Sequence, residues 1–203
     1  MIKKKQRIVS VNNINFSNES RFVLIAGPCA IESLNHAVSM TGLIKEICKK
    51  FKINFVYKSS FDKANRSSIK SERGVGLEKS LNIFQELKKL YKCSIITDVH
   101  EASQCNKDSE YVDILQIPAF LSRQTDLLIS AANTKKAVMV KKGQFAAPWD
   151  MNNIVDKLEA NKCNKILLCE RGASFGYNTL VSDMRAIPIM QKTGYPVIFD
   201  ATH

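Results

Sequence analysis

Short apolar runs alternate with amphipathic segments along most of the chain. The runs at 22–26, 55–58, 94–98, 114–117, 138–141, 165–169 and 197–200 are nearly continuous in apolar residues. That pattern predicts parallel strands covered on both faces. Between two of them, Leu77, Leu81, Phe84, Leu87 and Leu90 recur at helical spacing, with Glu78, Lys79, Glu86 and Lys89 on the other side. Val38, Ile44, Ile47 and Cys48 repeat the pattern after Ser33, and Ile154 and Leu158 begin another helix. The segment 180–190 reads as a last helix, with Pro188 expected to kink it. Upstream, two polar–apolar alternations at 6–11 and 13–16 meet at Asn12-Asn13, which predicts a small β-hairpin. Strand–helix alternation throughout predicts a parallel α/β fold, either a barrel or an open sheet. No GxGxxG follows the first strand, which counts against a dinucleotide-binding open sheet. With no linker-like stretch and no repeat beyond the βα unit, residues 1–203 read as one domain.

Composition narrows the class. Hydrophobic residues make up 45% and charged residues 24%, as in ordinary soluble globular proteins. No segment is long and apolar enough to span a bilayer. The basic start, 1–7, is not followed by a hydrophobic segment with a cleavage site, so a cytoplasmic location is expected. The six cysteines are scattered without a CxxC pair, which predicts small buried hydrophobes or surface thiols and not a disulfide framework. The net charge of +11 admits two readings. One is a nucleic-acid or membrane partner. The other is a Lys-rich composition together with cations that bind small anions. The lysines are spread along the chain, and no zinc-finger, RNP or helix-turn-helix pattern accompanies them, so neither a nucleic acid nor a membrane is expected as partner.

The chemistry gathers at strand ends. Gly27-Pro28-Cys29, Lys58-Ser59-Ser60, Asp98-Val99-His100, Gln116-Ile117-Pro118-Ala119, Lys141-Lys142 and Arg171-Gly172 each close or follow an apolar run. Functional side chains at the carboxyl ends of successive parallel strands are how a (β/α)8 barrel builds its active site. The densest segment, 58–68, packs Lys58, Lys63, Arg66, Asn65 and several hydroxyls into one βα loop. It could be a solvated loop. Lys141 and Arg171 at other strand ends weaken that reading, because in a barrel all five cations converge on one mouth. Such a cluster calls for ligands with several negative charges.

Seven stretches carry a resemblance. They are IAGPCAIES at 25–33, KSSFDKANRSS at 58–68, ITDVHE at 96–101, LQIPAFLSRQTDLL at 115–128, VKKGQF at 140–145, CERGASFGYNTLVSDMR at 169–185 and VIFDATH at 197–203. In these the chain closely resembles the 3-deoxy-D-manno-octulosonate 8-phosphate (KDO8P) synthases. The resemblance implies a TIM-type (β/α)8 barrel with an N-terminal β-hairpin. It implies condensation of phosphoenolpyruvate with D-arabinose 5-phosphate and water, in lipopolysaccharide biosynthesis, with release of phosphate. By the same resemblance Lys58, Lys63, Lys141 and Arg171 hold phosphoenolpyruvate, with Gln116 and Ala119 nearby. Asn65, Arg66 and Ser67 hold the sugar phosphate, and Arg123 reaches it from a neighbouring subunit of a homo-oligomer, expected to be a tetramer. Asp98 orders polar groups near the reacting carbons, and Lys63 stands among the catalytic residues.

Cys29 and His203 bear on a metal. A lone strand-end cysteine is more often core or an inert thiol, and a lone histidine is equally unspecific. Together, at the ends of the first and seventh strands, the two suit zinc or iron. The resemblance places Cys29 where metal-dependent members carry cysteine and metal-free members asparagine. A divalent metal (zinc, iron or manganese) is therefore expected on Cys29 and His203. His100 is a weaker candidate, better suited to supporting the site, and His36 reads as a surface residue. The family's remaining two metal ligands, its eighth strand and the following helix have no counterpart in this sequence, so an incomplete barrel is expected. A shortened gene product, a barrel completed by a second polypeptide and an inactive remnant are the three readings of that incompleteness.

Overall fold

The structure, a computed structural model, describes residues 5–202. Two antiparallel strands open it, β1 (Val9–Val11) and β2 (Ile14–Phe16). The turn between them is Asn12-Asn13, with Asn12 in the left-handed region (φ 51°), which asparagine tolerates better than most residues. Val9, Val11, Ile14 and Phe16 are buried and join the main core. Asn12 Nδ2 donates to Ser94 Oγ at 2.9 Å, and Ser94 begins a strand of the main sheet. The hairpin therefore lies at the amino-terminal end of that sheet, opposite the strand ends that carry the chemistry.

From there the chain alternates as predicted. β3 (Val23–Ala26) leads to α1 (Leu34–Phe51), β4 (Asn54–Lys58) to α2 (Leu77–Tyr91), and β5 (Ser94–Asp98) to α3 (Ala102–Tyr111). Then β6 (Ile114–Ile117) leads to α4 (Thr125–Asn133), and β7 (Ala137–Lys141) to α5 (Met151–Ala160). Last come β8 (Ile166–Glu170), a small hairpin of β9 (Ala173–Ser174) and β10 (Leu180–Val181), α6 (Ala186–Gln191) and β11 (Val197–Phe199). Seven strands pair in parallel in the order β11-β8-β7-β6-β5-β4-β3, so each βα unit lies beside its predecessor. That is the strand order of a (β/α)8 barrel, seven strands of which are present among the described residues.

β5, β6 and β8 are buried along their whole length, which explains their unbroken apolar sequences. The edge strands differ. Every residue of β3 is only partly buried, and Phe199 of β11 is 41% exposed.

Helix signals held at their starts and failed on some faces. Ser33 caps α1, its Oγ accepting from His36 N at 3.1 Å. The apolar stripe read on α1 does not all face inward, since Ile47 is 57% exposed while Ala37, Thr41 and Cys48 are buried. Leu90, read on the core face of α2, lies in its last turn and is 60% exposed. The segment 180–190 is not one kinked helix. Leu180-Val181 pair with β9, and α6 begins only at Ala186. Pro188 falls in its first turn, where no intrahelical N–H bond is lost, so no kink is required. The cysteine reading holds: all six are free thiols, five of them buried and Cys29 exposed.

Candidate active site

The site is built where the loop after β3 meets the end of β4. Ser60 N donates to Cys29 O at 3.3 Å, Ile31 N to Ser60 O at 3.0 Å and Ser59 Oγ to Pro28 O at 2.8 Å. Gly27 makes this approach possible, because a Cβ there would lie 2.0 Å from Lys58 O. Gly27→Ala must push the two chains apart, and it is expected to cost about 1–3 kcal/mol of stability, read as a lowered midpoint in urea unfolding. An unchanged midpoint would mean that the junction is loose.

Three lysines converge. Lys58, at the end of β4, feels Lys63, Lys141, Asp98 and Cys29 electrostatically. Lys63 Nζ bonds Ser60 Oγ at 2.9 Å, and Lys58 Nζ reaches the same hydroxyl at 3.5 Å. Burial pushes the Lys58 ammonium below its ordinary pKa; Asp98 opposes that shift and the neighbouring lysines add to it. Lys141, at the end of β7, pairs with Asp200 Oδ2 at 2.6 Å, both side chains being almost wholly enclosed. Asp200 lies just beyond β11 and had not been singled out as a site residue. The signal was its place at the end of an apolar run, the same signal that marked the others.

Asp98 is the acidic centre. It is buried at the end of β5, and its Oδ2 lies 3.2 Å from His100 Nε2. Burial alone would raise its pKa, but the bonds to His100 and Ser60 and the Lys58 charge outweigh that and hold the carboxyl well below the usual range. Asp98 therefore stays ionised. Gln116 is its register partner on β6 and is buried, with Oε1 lacking a partner. Arg171 follows β8, two residues past the register partner of Lys141, and its buried Nε also lacks a partner. Buried polar atoms without partners are uncommon in native proteins, and at strand ends they suit a polar ligand.

Asn65, Arg66 and Ser67 are exposed on the loop after β4, where Arg66 Nε donates to Glu72 O at 3.3 Å. That loop is closed at its base. Arg73 forms a two-pronged ion pair with Asp62, Lys63 N donates to Arg73 O at 2.7 Å, and Gly76 N to Phe61 O at 3.2 Å. Ala119 is buried in a 3-10 turn after β6, and Arg123 is exposed just before α4. Cys29 is an exposed thiol close enough to Lys58 to influence it. His203 lies outside the described residues. Among the described residues no group of three His, Cys, Asp or Glu side chains could hold a metal ion. They do not by themselves form a metal site. No helix among them is long and apolar enough to cross a membrane.

Comparison with known proteins agrees with this arrangement. The model of the DAHP synthetase I family matches residues 2–203. A 2-dehydro-3-deoxyphosphooctonate aldolase of Bartonella henselae is 59% identical over 196 residues, covering 97% of this chain and 70% of the relative. The proteins of that name from Agrobacterium fabrum and Brucella ovis are 57% and 58% identical, covering 95% and 96% of this chain and 68% and 70% of theirs. The sequential parallel sheet, the cations at its strand ends and identity above one half over more than two thirds of these relatives lead to one conclusion: the chain belongs to the DAHP synthetase I family, among the 2-dehydro-3-deoxyphosphooctonate aldolases, or KDO8P synthases.

Proposed function

We propose that this chain condenses phosphoenolpyruvate with D-arabinose 5-phosphate and water to give 3-deoxy-D-manno-octulosonate 8-phosphate and inorganic phosphate. The observation that carries the reading is the meeting of Lys63 and Lys141 with Lys58, itself beside ionised Asp98. Two substrates with phosphate and carboxylate groups bring about five negative charges to one cleft, and enclosed ammonium groups neutralise charge best where water is scarce. Lys58, Lys63, Lys141 and Arg171, with Gln116 and Ala119 beside them, hold phosphoenolpyruvate. Asn65, Arg66 and Ser67 hold the sugar phosphate on the loop clasped by Asp62 and Arg73. Arg123 serves the same phosphate in a neighbouring subunit, and its exposure favours that role. The assembly is a homo-oligomer, a tetramer by family likeness, working in the cytoplasm.

In the reaction the enol carbon bonds to the aldehyde carbon, and the aldehyde oxygen takes a proton. Water adds at the carbon bearing the phosphate, the C–O bond to that phosphate breaks as the carbonyl forms, and of the two protons of the water one restores the proton donor and the other leaves with the phosphate. Lys63, held by Ser60, is the proton donor to the aldehyde oxygen. Asp98, steadied by His100, orders the polar groups around the reacting carbons. Holding the two carbons at attack distance lowers the barrier by several kcal/mol.

The test is phosphate release from phosphoenolpyruvate by the 203-residue chain, with and without arabinose 5-phosphate and with and without chelator. Release that needs the sugar supports the synthase. No release from folded protein would sink the reading. Arg66→Ala is expected to raise KM for arabinose 5-phosphate at least tenfold and to leave that for phosphoenolpyruvate within about twofold, since a lost charge-assisted phosphate bond costs roughly 1.5–3 kcal/mol. Equal losses for both substrates would break this division of the pocket.

The divalent metal rests on Cys29 and His203 alone. A thiolate and an imidazole are donors that suit zinc or iron, and manganese is the third candidate. When bound, such an ion can act as Lewis acid or template. Cys29→Asn is expected to retain less than about a tenth of the metal that the unaltered protein keeps through dialysis, measured by elemental analysis, because loss of one of few donors weakens binding steeply. Equal metal content in both proteins would remove Cys29 from the site.

A further inference from the structure

We propose that Lys142 and Glu170 are positioning residues for Arg171: the enclosed pair clamps the turn after β8 to the loop after β7, so that Arg171 is presented to the anion site in one geometry. Each stands next to a cation of that site, Lys142 after Lys141 and Glu170 before Arg171. Both side chains are 2% exposed, and Lys142 Nζ lies 3.6 Å from Glu170 Oε1. Enclosing such a pair costs desolvation, and two apolar side chains of similar size often stabilise a fold as well or better. Stability is therefore a weak reason for the pair, and the backbone it holds is a stronger one.

The contacts fix the chain on both sides of Arg171. The preceding peptide is held by its carbonyl, since Asp200 N donates to Glu170 O at 2.8 Å. The following peptide is held by its amide, since Gly172 N donates to Glu170 Oε1 at 2.6 Å. Gly172 has a φ of 93°, which glycine adopts without a Cβ penalty. Its carbonyl accepts from Lys142 Nζ at 3.2 Å. An ammonium has three donors, and Lys142 Nζ also reaches Gly143 O at 3.4 Å and Ala146 O at 3.3 Å in the loop after β7. One side chain thus grips both loops.

Backbone bonds flank the grip. Lys142 N donates to Cys169 O at 2.7 Å, and Ser174 N to Gln144 O at 2.8 Å. Within this frame Arg171 keeps its buried Nε without a partner. A planar guanidinium matches a carboxylate or phosphate through a rigid fork of donors, so its recognition depends on where its backbone is held.

The use of the clamp in holding phosphoenolpyruvate rests on the synthase reading; the clamp itself is tested without it. The variant is Lys142→Met combined with Glu170→Leu. Removing both charges leaves neither buried alone, so the protein is expected to fold with a urea midpoint near that of the unaltered chain. Hydrogen exchange at the Gly172 amide is expected to quicken at least about fivefold, because the amide loses its carboxylate acceptor. Calorimetric titration with phosphoenolpyruvate alone is expected to give a Kd weaker by at least about tenfold, while KM for arabinose 5-phosphate, held on the loop after β4, stays within about twofold. An unchanged Kd in the folded variant, or an equal loss for the sugar phosphate, overturns the positioning role. Should that variant not fold, Lys142→Met with Glu170→Gln is titrated instead. Glutamine can still accept from Gly172 N, so only the lysine grip is lost, and a Kd weaker by at least about threefold is expected; a smaller change overturns the proposal. If exchange quickens but the unaltered protein binds no phosphoenolpyruvate, the clamp stands and the synthase reading fails. Unchanged exchange means that there is no clamp.

Discussion

Lys58→Met is expected to lower kcat for sugar-dependent phosphate release by about 10²–10³-fold, a loss of roughly 3–4 kcal/mol of transition-state stabilisation. Lys58 stands at the centre of the cationic cluster, feeling Lys63, Lys141, Asp98 and Cys29 at once. It is the shared neighbour through which the anion-binding groups and the acidic centre act on one another. Methionine keeps most of the side-chain length and so much of the packing, while removing the charge. Asp98 then loses a cationic neighbour and one of the interactions that hold its pKa down; it stays ionised, but its carboxylate is less firmly held and orders the site less well. Steady-state kinetics alongside a thermal melt separates these effects from unfolding. A loss below tenfold in folded protein would place the anion site elsewhere.

The second large effect concerns stability and pH. Burial raises the Asp108 pKa from an ordinary 3.8 to about 7. Between those values the folded chain holds a proton that the unfolded chain has released. Folding stability contributed by this group is therefore fully present below about pH 4 and falls as pH rises, the loss being complete somewhat above pH 7. Relative to Asp108→Leu, which has no proton to lose, the unaltered protein should weaken by about 2–4 kcal/mol between pH 4 and pH 8. Urea unfolding of both proteins across that range reads the difference directly, since the other titrating groups are common to both. Parallel pH curves would mean that Asp108 is ionised in the folded state at no cost.

Much of the architecture was legible because of what parallel strands require. A strand covered on both faces must be apolar along its length, so each run announced itself, and the observed boundaries of the seven strands fall within one residue of the predicted ones. The N-terminal hairpin was legible because Asn12 can take the left-handed turn conformation. Helix faces were less so. Ile47 and Leu90 sit at helical spacing yet point outward, because periodicity marks a stripe without saying where the sheet beneath it ends. The run at 180–190 misled for a related reason: Leu180 and Val181 are apolar enough for a helix face, but they pair with Ala173 and Ser174 brought back by the preceding loop.

The site divides in the same way. Residue type and position after a strand were enough to gather Lys58, Asp98, Gln116, Lys141 and Arg171, since every strand of a parallel sheet delivers its carboxyl end to one face. Pairing between them was not legible. That Lys141 meets Asp200, that Lys58 and Lys63 share the Ser60 hydroxyl, and that Asp98 leans on His100 depends on side chains from strands far apart in sequence. Asp108 shows the difference most plainly. In sequence it is an ordinary polar residue of a weakly amphipathic helix, and only the packing of α3 encloses it with both carboxyl oxygens unpartnered. The amino-acid sequence by itself determined the parallel α/β fold, the order of its units and the kinds of group at its strand ends, because those follow from local periodicity and backbone chemistry. Only the tertiary structure decided which of these groups are enclosed, which are paired and which titrate near neutrality, because burial and electrostatic coupling depend on distances that no local pattern encodes.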